Sequence, residues 1–316
     1  MTDHSVEDNT TKVSVKLEGV EKKVDFNDLK SGGFIKQRQR DLFAVRLRCP
    51  GGRLTTKKLV EIAKLADKYS KKGVVHFSFR QSLEILYVDY KDFNALVADL
   101  EKIGQKVASC GPRVRVPTAC GGCEYNPNGL TDTQKMAEMV DQKFFGTPTP
   151  HKFKTSFSGC PIDCARTKEM DLGFQGVVDP LWEEDLCTGC TICAQACKED
   201  AIVSDPDSGK PIFDPMKCIF CGDCIRACPT ESWKPKRYGH IVRIGGKHGR
   251  HPMEAIEVCK FLPDEKVADA IQKTIEWYNA NGKRGERLGN TIKRVGMKSY
   301  LDFMEPVYQN ASRASV

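Results

Sequence analysis

Four cysteines stand in two close pairs. Cys120 and Cys123 lie in TACGGCEYNPNGLTDT, and Cys160 and Cys164 lie in HKFKTSFSGCPIDC. About one helix's worth of chain separates the pairs, so the four can chelate one metal centre. Lys152 and Lys154 alternate on the strand that runs into the second pair, and alternate strand positions share a face. A metal centre beside fixed positive charge points to redox chemistry on a small anion. The structural alternatives are a zinc site and a solvated strand face. Zinc held by four thiolates is closed and needs no substrate pocket, so the adjacent cations argue against it.

A stronger signal follows. Cys187, Cys190, Cys193 and Cys197 obey C-x2-C-x2-C-x3-C, and Cys218, Cys221, Cys224 and Cys228 repeat it, with Pro229 after the last. This is the spacing of bacterial two-cluster ferredoxins. Three cysteines on one tight loop cap three irons of a cubane, and the fourth iron takes its ligand from the other run. One cluster is therefore expected on Cys187, Cys190, Cys193 and Cys228. The other is expected on Cys218, Cys221, Cys224 and Cys197. Lys198 rather than proline follows Cys197, a small departure. Such a module relays electrons.

Composition sets the limits. The chain has 316 residues, 40% hydrophobic and 29% charged, the balance of a soluble globular protein with two or three domains. No apolar run approaches the roughly 18 residues of a membrane span. The polar start MTDHSVEDNTTK is no secretory signal, and a cytoplasmic location is expected. Disulfides are disfavoured there, so most of the 15 cysteines are assigned to metal. Cys49, Cys110 and Cys259 fall outside the spacings and read as small buried hydrophobes. The formal charge is +7, yet acidic residues outnumber basic ones between Leu181 and Lys236. The remaining body is strongly basic. It carries no nucleic-acid motif, and an anionic cofactor and substrate explain the charge better.

The elements that must position these groups follow from periodicity. Residues 1–35 read as an extension with a small hairpin from Val13–Leu17 and Val20–Phe26. Leu42–Leu47 reads as a strand and Leu54–Tyr69 as a helix capped by Thr55 or Thr56. Strands Val74–Phe79 and Leu83–Val88 and a helix Phe93–Ile103 complete a half-domain over 36–107. A second domain begins over 108–180, with a helix Thr131–Phe145 and strands Phe153–Phe157 and Leu172–Val178. A cysteine-rich insert over 181–236 interrupts it. It resumes over 237–316 with a strand His240–Ile244 and helices Pro263–Ala280 and Met297–Met304. The fold class is α+β: a ferredoxin-like half-domain and an α/β domain split by a two-cluster module.

GCPIDC after a Lys-Phe-Lys strand, preceded by the TAC…DT loop, resembles the sirohaem- and [4Fe–4S]-dependent sulfite and nitrite reductases. KQRQRDLFAVRLRCPGGRLT with VHFSFRQSLEILYV resembles that family's half-domain, and GHIVRIGGKHGRHP and RLGNTIKRVG resemble its final part. The likeness covers roughly residues 34–307. The inserted module narrows it to dissimilatory and anaerobic sulfite reductase subunits. The resemblance implies sirohaem and three [4Fe–4S] clusters, one of them coupled to sirohaem. It makes Cys164 the ligand shared by that cluster and the sirohaem iron, with Cys120 and Cys160 as further cluster ligands. It makes Arg80, Arg115, Lys152 and Lys154 the cations that bind sulfite oxygens and supply protons. Sirohaem is a polycarboxylate, which gives Lys36, Arg38, Arg113, Lys247 and Arg250 charges to neutralise; plain surface charge is the alternative for these five.

Two departures matter. The family spaces its first pair as C-x5-C, which would fall on Asn126; Cys123 is the expected substitute ligand. Double-length members hold the cluster in one half and the cations in the other, whereas this chain has one half-unit with both. The resemblance therefore implies a homodimer, or a heterodimer with a related subunit, in which the cations serve the neighbour's sirohaem. With no dinucleotide fingerprint, electrons are expected from a ferredoxin or a flavoprotein partner. The expected reaction is six-electron reduction of sulfite to sulfide. Nitrite reduction to ammonia, a non-catalytic electron-transfer subunit and a zinc-stabilised nucleic-acid binder are the rivals.

Overall fold

The computed structural model describes residues 12–17, 20–309 and 312–313. Contacts divide the chain into two compact units, residues 1–118 with 141–152, and residues 119–140 with 153–316.

The first unit is built on a four-stranded antiparallel sheet in the order Phe34–Lys36, Leu42–Arg46, Leu83–Asp89, Val75–Phe77. Two helices cover it, Thr56–Tyr69 and Phe93–Lys102. The first starts where the Thr55 hydroxyl accepts the Lys58 N–H at 3.2 Å, an N-cap that satisfies one orphan donor. Ile62, Ala66 and Tyr69 turn inward from it, and Phe93, Leu96 and Leu100 from the second. They close on Phe43, Val45, Ile85 and Val88.

Some elements differ from expectation. Phe34 stacks on Phe93 with ring centroids 3.8 Å apart, so the sheet begins inside the stretch read as an extension. Before it, the strands Lys12–Leu17 and Val20–Asp25 pair antiparallel, and a helix Phe26–Ser31 follows. The strand at Val75 stops at Phe77, because the Gln81 N–H closes a turn on the Ser78 carbonyl at 2.9 Å.

The second unit holds a six-stranded sheet. Its order is Ser312–Arg313, Ile256–Leu262, Trp233–Ile244, Leu172–Trp182, Thr155–Ser158, with Thr118–Ala119 at the edge. Helices Val267–Asn281, Leu288–Val295 and Met297–Tyr308 complete it. The last continues past Met304 through Pro306, held by buried Val307 and Tyr308. Leu172–Trp182 and Trp233–Ile244 form one long antiparallel pair, from Leu172↔Ile244 to Trp182↔Trp233. Its tip releases residues 183–232. These contain two short helices, Ile192–Ala196 and Asp223–Ala227, and a small ribbon, Ile202–Ser204 with Pro211–Phe213.

The released segment folds back onto the sheet that carries it. The Val178 N–H donates to the Phe220 carbonyl at 3.0 Å. The Phe220 ring meets Phe261 edge-on at 4.9 Å and packs on Val177 and Ile241. Gly222 has φ +77, and a Cβ there would lie 2.8 Å from Val178 Cγ1. Only glycine meets both demands without strain.

Asp171 ties the loops at the other end of the pair. Its fully buried carboxylate takes the Arg287 guanidinium through Nε at 3.0 Å and Nη2 at 2.8 Å. The same carboxylate accepts the Lys154 N–H at 3.0 Å, and the Asp171 carbonyl accepts the Gly245 N–H at 2.9 Å. Burial pushes this carboxyl up from its ordinary range, against the pull of Arg287.

Two outcomes follow. Arg287→Met leaves an unpaired buried carboxylate and should destabilise the protein by about 3–5 kcal/mol, read as a lowered urea midpoint by tryptophan fluorescence. Gly222→Ala should weaken the docking by roughly 1–3 kcal/mol. Hydrogen exchange at the Val178 amide should then quicken by about ten- to hundredfold.

Candidate functional site

Backbone contact joins the first two cysteine pairs. A Cβ on Gly159 would lie 2.7 Å from the Gly122 Cα, so the loops of Cys120–Cys123 and Cys160–Cys164 meet where neither has a side chain. The Leu130 N–H donates to the Gly159 carbonyl at 2.7 Å and the Cys120 N–H to the Phe157 carbonyl at 3.1 Å. The Cys120 sulfur accepts N–H groups from Gly159 at 3.1 Å and Gly122 at 3.4 Å. Such bonds stabilise a metal-bound thiolate and tune its cluster. Burial pushes the Cys160 thiol up, and Cys120 and Cys164 add to that through their charges. Cys164 itself is exposed.

Cys123 lies on the short helix Gly122–Tyr125 and is exposed. Its thiol is raised by burial and by Asp132. Asn126 is engaged in the turn instead. Its side-chain oxygen accepts the Asn128 N–H at 3.0 Å and its carbonyl the Gly129 N–H at 2.8 Å.

The remaining eight cysteines fall into two sets. Cys187, Cys190, Cys193 and Cys228 line one small cavity with Trp233 and Ser232. Cys197, Cys218, Cys221 and Cys224 line another with Ile202 and Phe213. Each set takes three cysteines from one run and one from the other. Each short helix opens on a left-handed residue, Thr191 or Gly222, and ends at the fourth cysteine of its run. Among the described residues no three His, Cys, Asp or Glu side chains gather as around a single ion. The sulfurs surround cavities, and four thiols around one cavity are a donor set that suits a [4Fe–4S] cluster.

The thiols differ in their environments. Burial pushes Cys221 up to about 11 and Cys224 up to about 12. Burial also raises Cys228, but the Ser232 hydroxyl, the Trp233 N–H and Thr230 outweigh it and bring that thiol down to about 7. Metal must displace protons from the first two, and Cys228 gives up its proton more readily than they do.

The cations divide between the units. Arg80, Arg115 and Lys152 belong to the first, and Lys154 with all twelve spaced cysteines to the second. The Arg80 guanidinium donates to the Val116 carbonyl at 2.8 Å. Arg115 donates to the Gly111 carbonyl at 3.3 Å and the Ser109 carbonyl at 3.2 Å. Its pKa is lowered first by burial, then by Arg46 and Arg113, against Cys110. Arg46 is itself paired with Glu84 at 2.6 Å. Lys152 and Lys154 flank the fully buried Phe153. Arg113 keeps a buried Nε without a hydrogen-bond partner among the described residues, a donor that suits a carboxylate-rich group. Lys36, Arg38 and Arg250 are exposed, and Lys247 donates to Asn290 at 3.0 Å. Cys49, Cys110 and Cys259 are buried.

Sequence reasoning missed two groups. Asp171 and Arg287 fix the Lys154 backbone, yet no local spacing relates them. Arg226 sits inside the second cysteine run, where no spacing marks it. It lines, with Cys160, Ile162, Cys221 and Asn128, a cavity of about 330 Å³. That cavity brings the GCPIDC loop and the second run together. No helix among the described residues is long and apolar enough to cross a membrane.

Known proteins carry the same parts. A family model described as "Nitrite and sulphite reductase 4Fe-4S domain" matches residues 110–310, and one described as "Nitrite/Sulfite reductase ferredoxin-like half domain" matches residues 35–103. A coenzyme F420-dependent sulfite reductase of Methanocaldococcus jannaschii is 33% identical over 273 residues, covering 85% of this chain and 43% of that protein. The chain thus spans less than half of that relative's length. A subunit of the anaerobic sulfite reductase of Salmonella typhimurium is 30% identical over 248 residues, covering 73% of this chain and 72% of the relative. The crystal structure of dissimilatory sulfite reductase I superposes with a TM-score of 0.70 at 20% identity, covering 87% of this chain and 72% of that one. With both family domains matched in order along it, the chain belongs to the nitrite and sulfite reductase family.

Proposed function

We propose that this chain is a subunit of a sirohaem-dependent reductase that converts sulfite to sulfide with six electrons. In this reading Cys120, Cys123, Cys160 and Cys164 hold a [4Fe–4S] cluster coupled to sirohaem, and the insert holds two more. The observation that carries the reading is the cavity lined by both Cys160 and Cys221, because an electron relay needs its donor and acceptor sites adjacent. Engagement of Asn126 in its own turn supports Cys123 as the fourth ligand. Sirohaem, held through Cys164, would supply an iron that binds the anion, and the clusters would supply electrons singly.

The residues of the chain do the rest. Lys152, Lys154, Arg80 and Arg115 hold the anion's oxygens by charge-assisted hydrogen bonds, which are strong where water is excluded. The lysines can also pass protons to oxygens that leave as water. Lys36, Arg38, Arg113, Lys247 and Arg250 neutralise sirohaem carboxylates. The Salmonella typhimurium relative is named as one subunit of its reductase, which supports assembly with another subunit here. In a dimer the cations of one chain serve the sirohaem of the other. Electrons come from a ferredoxin or a flavoprotein partner, and the protein works anaerobically in the cytoplasm.

The test is an anaerobic preparation with iron analysis, a visible spectrum and assays on both anions. The expected result is about thirteen irons per chain, a Soret band and sulfide formation from sulfite with a reduced viologen as donor. Ammonia from nitrite alone would move the assignment to the nitrite branch. About eight irons with no Soret band would make the chain a non-catalytic electron-transfer subunit. In the sirohaem-loaded protein, Lys154→Ala should lower turnover by roughly 10²–10³-fold, as loss of one preorganised oxyanion donor does.

A further inference from the structure

Arg226 occupies the last turn of the short helix Asp223–Ala227, between the third and fourth cysteines of the second run. Its guanidinium makes three polar contacts. Nη1 donates to the Cys221 carbonyl at 3.1 Å. Nη2 donates to the Asn128 side-chain oxygen at 3.4 Å. Nη2 also forms an ion pair with Asp223. Cys221 belongs to the insert. Asn128 belongs to the loop that follows Cys123, and two residues later the Leu130 N–H is bonded to Gly159 beside Cys160. One side chain therefore bonds to both walls of the cavity that lies between the two cysteine groups.

The charge stands between both groups. Arg226 lines the cavity together with Cys160 of one group and Cys221 of the other. Lys198, Glu199 and Asp223 also line the cavity. Asp223 contacts the Cys221 side chain too and carries the opposite charge, so it offsets part of the Arg226 charge at the inner site.

We propose that Arg226 is a potential-setting bridge between the inner cluster of the insert, on Cys197, Cys218, Cys221 and Cys224, and the cluster on Cys120, Cys123, Cys160 and Cys164. Reduction adds negative charge to a cluster, so a nearby cation favours the reduced form and raises its potential. One guanidinium acting on both sites raises both together. Electrons then collect on the inner pair and leave the outer cluster on Cys187, Cys190, Cys193 and Cys228. Arg226 is a positioning residue, since it touches no reacting atom. The inference rests on the iron–sulfur part of the proposed function and is independent of which anion is reduced.

The experiment is a redox titration by electron paramagnetic resonance on the whole, cluster-loaded protein without substrate. Iron analysis and cluster signals of the unaltered protein test the underlying reading separately. Arg226→Gln removes the charge but keeps hydrogen-bonding groups. It should shift the electron's distribution about tenfold towards the outer cluster, which is about 59 mV in each inner potential for a one-electron couple. The outer potential serves as the internal reference and should stay in place. Asp223→Asn should move the inner potentials the opposite way, and both shifts should shrink at high salt, because the pair is partly exposed. If Arg226→Gln does not load its clusters, Asp223→Asn decides alone. Unmoved potentials overturn the proposal. So does a shift confined to the insert, or an equal shift of all three clusters.

Discussion

The second unit depends on two backbones approaching where neither carries a side chain. Gly122 and Gly159 lie so close that a Cβ on Gly159 would reach the Gly122 Cα. That contact brings together the loops of two cysteine pairs that a helix separates along the chain. It also places the Gly159 and Gly122 amides on the Cys120 sulfur. Cysteines that share one metal must lie on loops that meet. Main-chain contact gathers them more rigidly than side-chain packing can, since the backbone has fewer soft torsions.

The same economy holds the insert. A segment released from the tip of a long strand pair would swing if the strands were its sole attachment. Instead the Phe220 carbonyl takes the Val178 N–H, its ring seats on Phe261, and Gly222 lets the helix start against Val178. The second cysteine run is therefore fixed on the sheet that also carries the GCPIDC loop. Cys160 and Cys221 share a cavity as a consequence.

Asp171 does comparable work at the opposite end of the strand pair. Its carboxylate and carbonyl meet Arg287, Lys154 and Gly245. A buried ion pair adds little net stability compared with a well-packed apolar pair. Its value here is orientation. Lys154, which precedes the strand Thr155–Ser158 rather than lying on it as expected, and the turn that carries Lys247 are both tied to one buried residue.

Local spacing made much of this legible in the sequence. The repeated cysteine runs need only a few residues of chain to indicate which thiols line one cavity. The helix at Thr56–Tyr69 declares itself by its cap at Thr55 and its inward Ile62 and Ala66. The helices Phe26–Ser31 and Leu288–Val295 went unread because each is short, six and eight residues, although Leu288, Ile292 and Val295 do recur at helical spacing. Nor did the sequence relate Arg287 to Asp171, or Arg226 to Asn128, pairs separated by 116 and 98 positions. Spacing along the chain determines which residues can act as ligands, because that is set by reach. Which loops touch, and which charge stands between two sites, is decided by the packing of strands far apart in sequence, and only the tertiary structure holds that information.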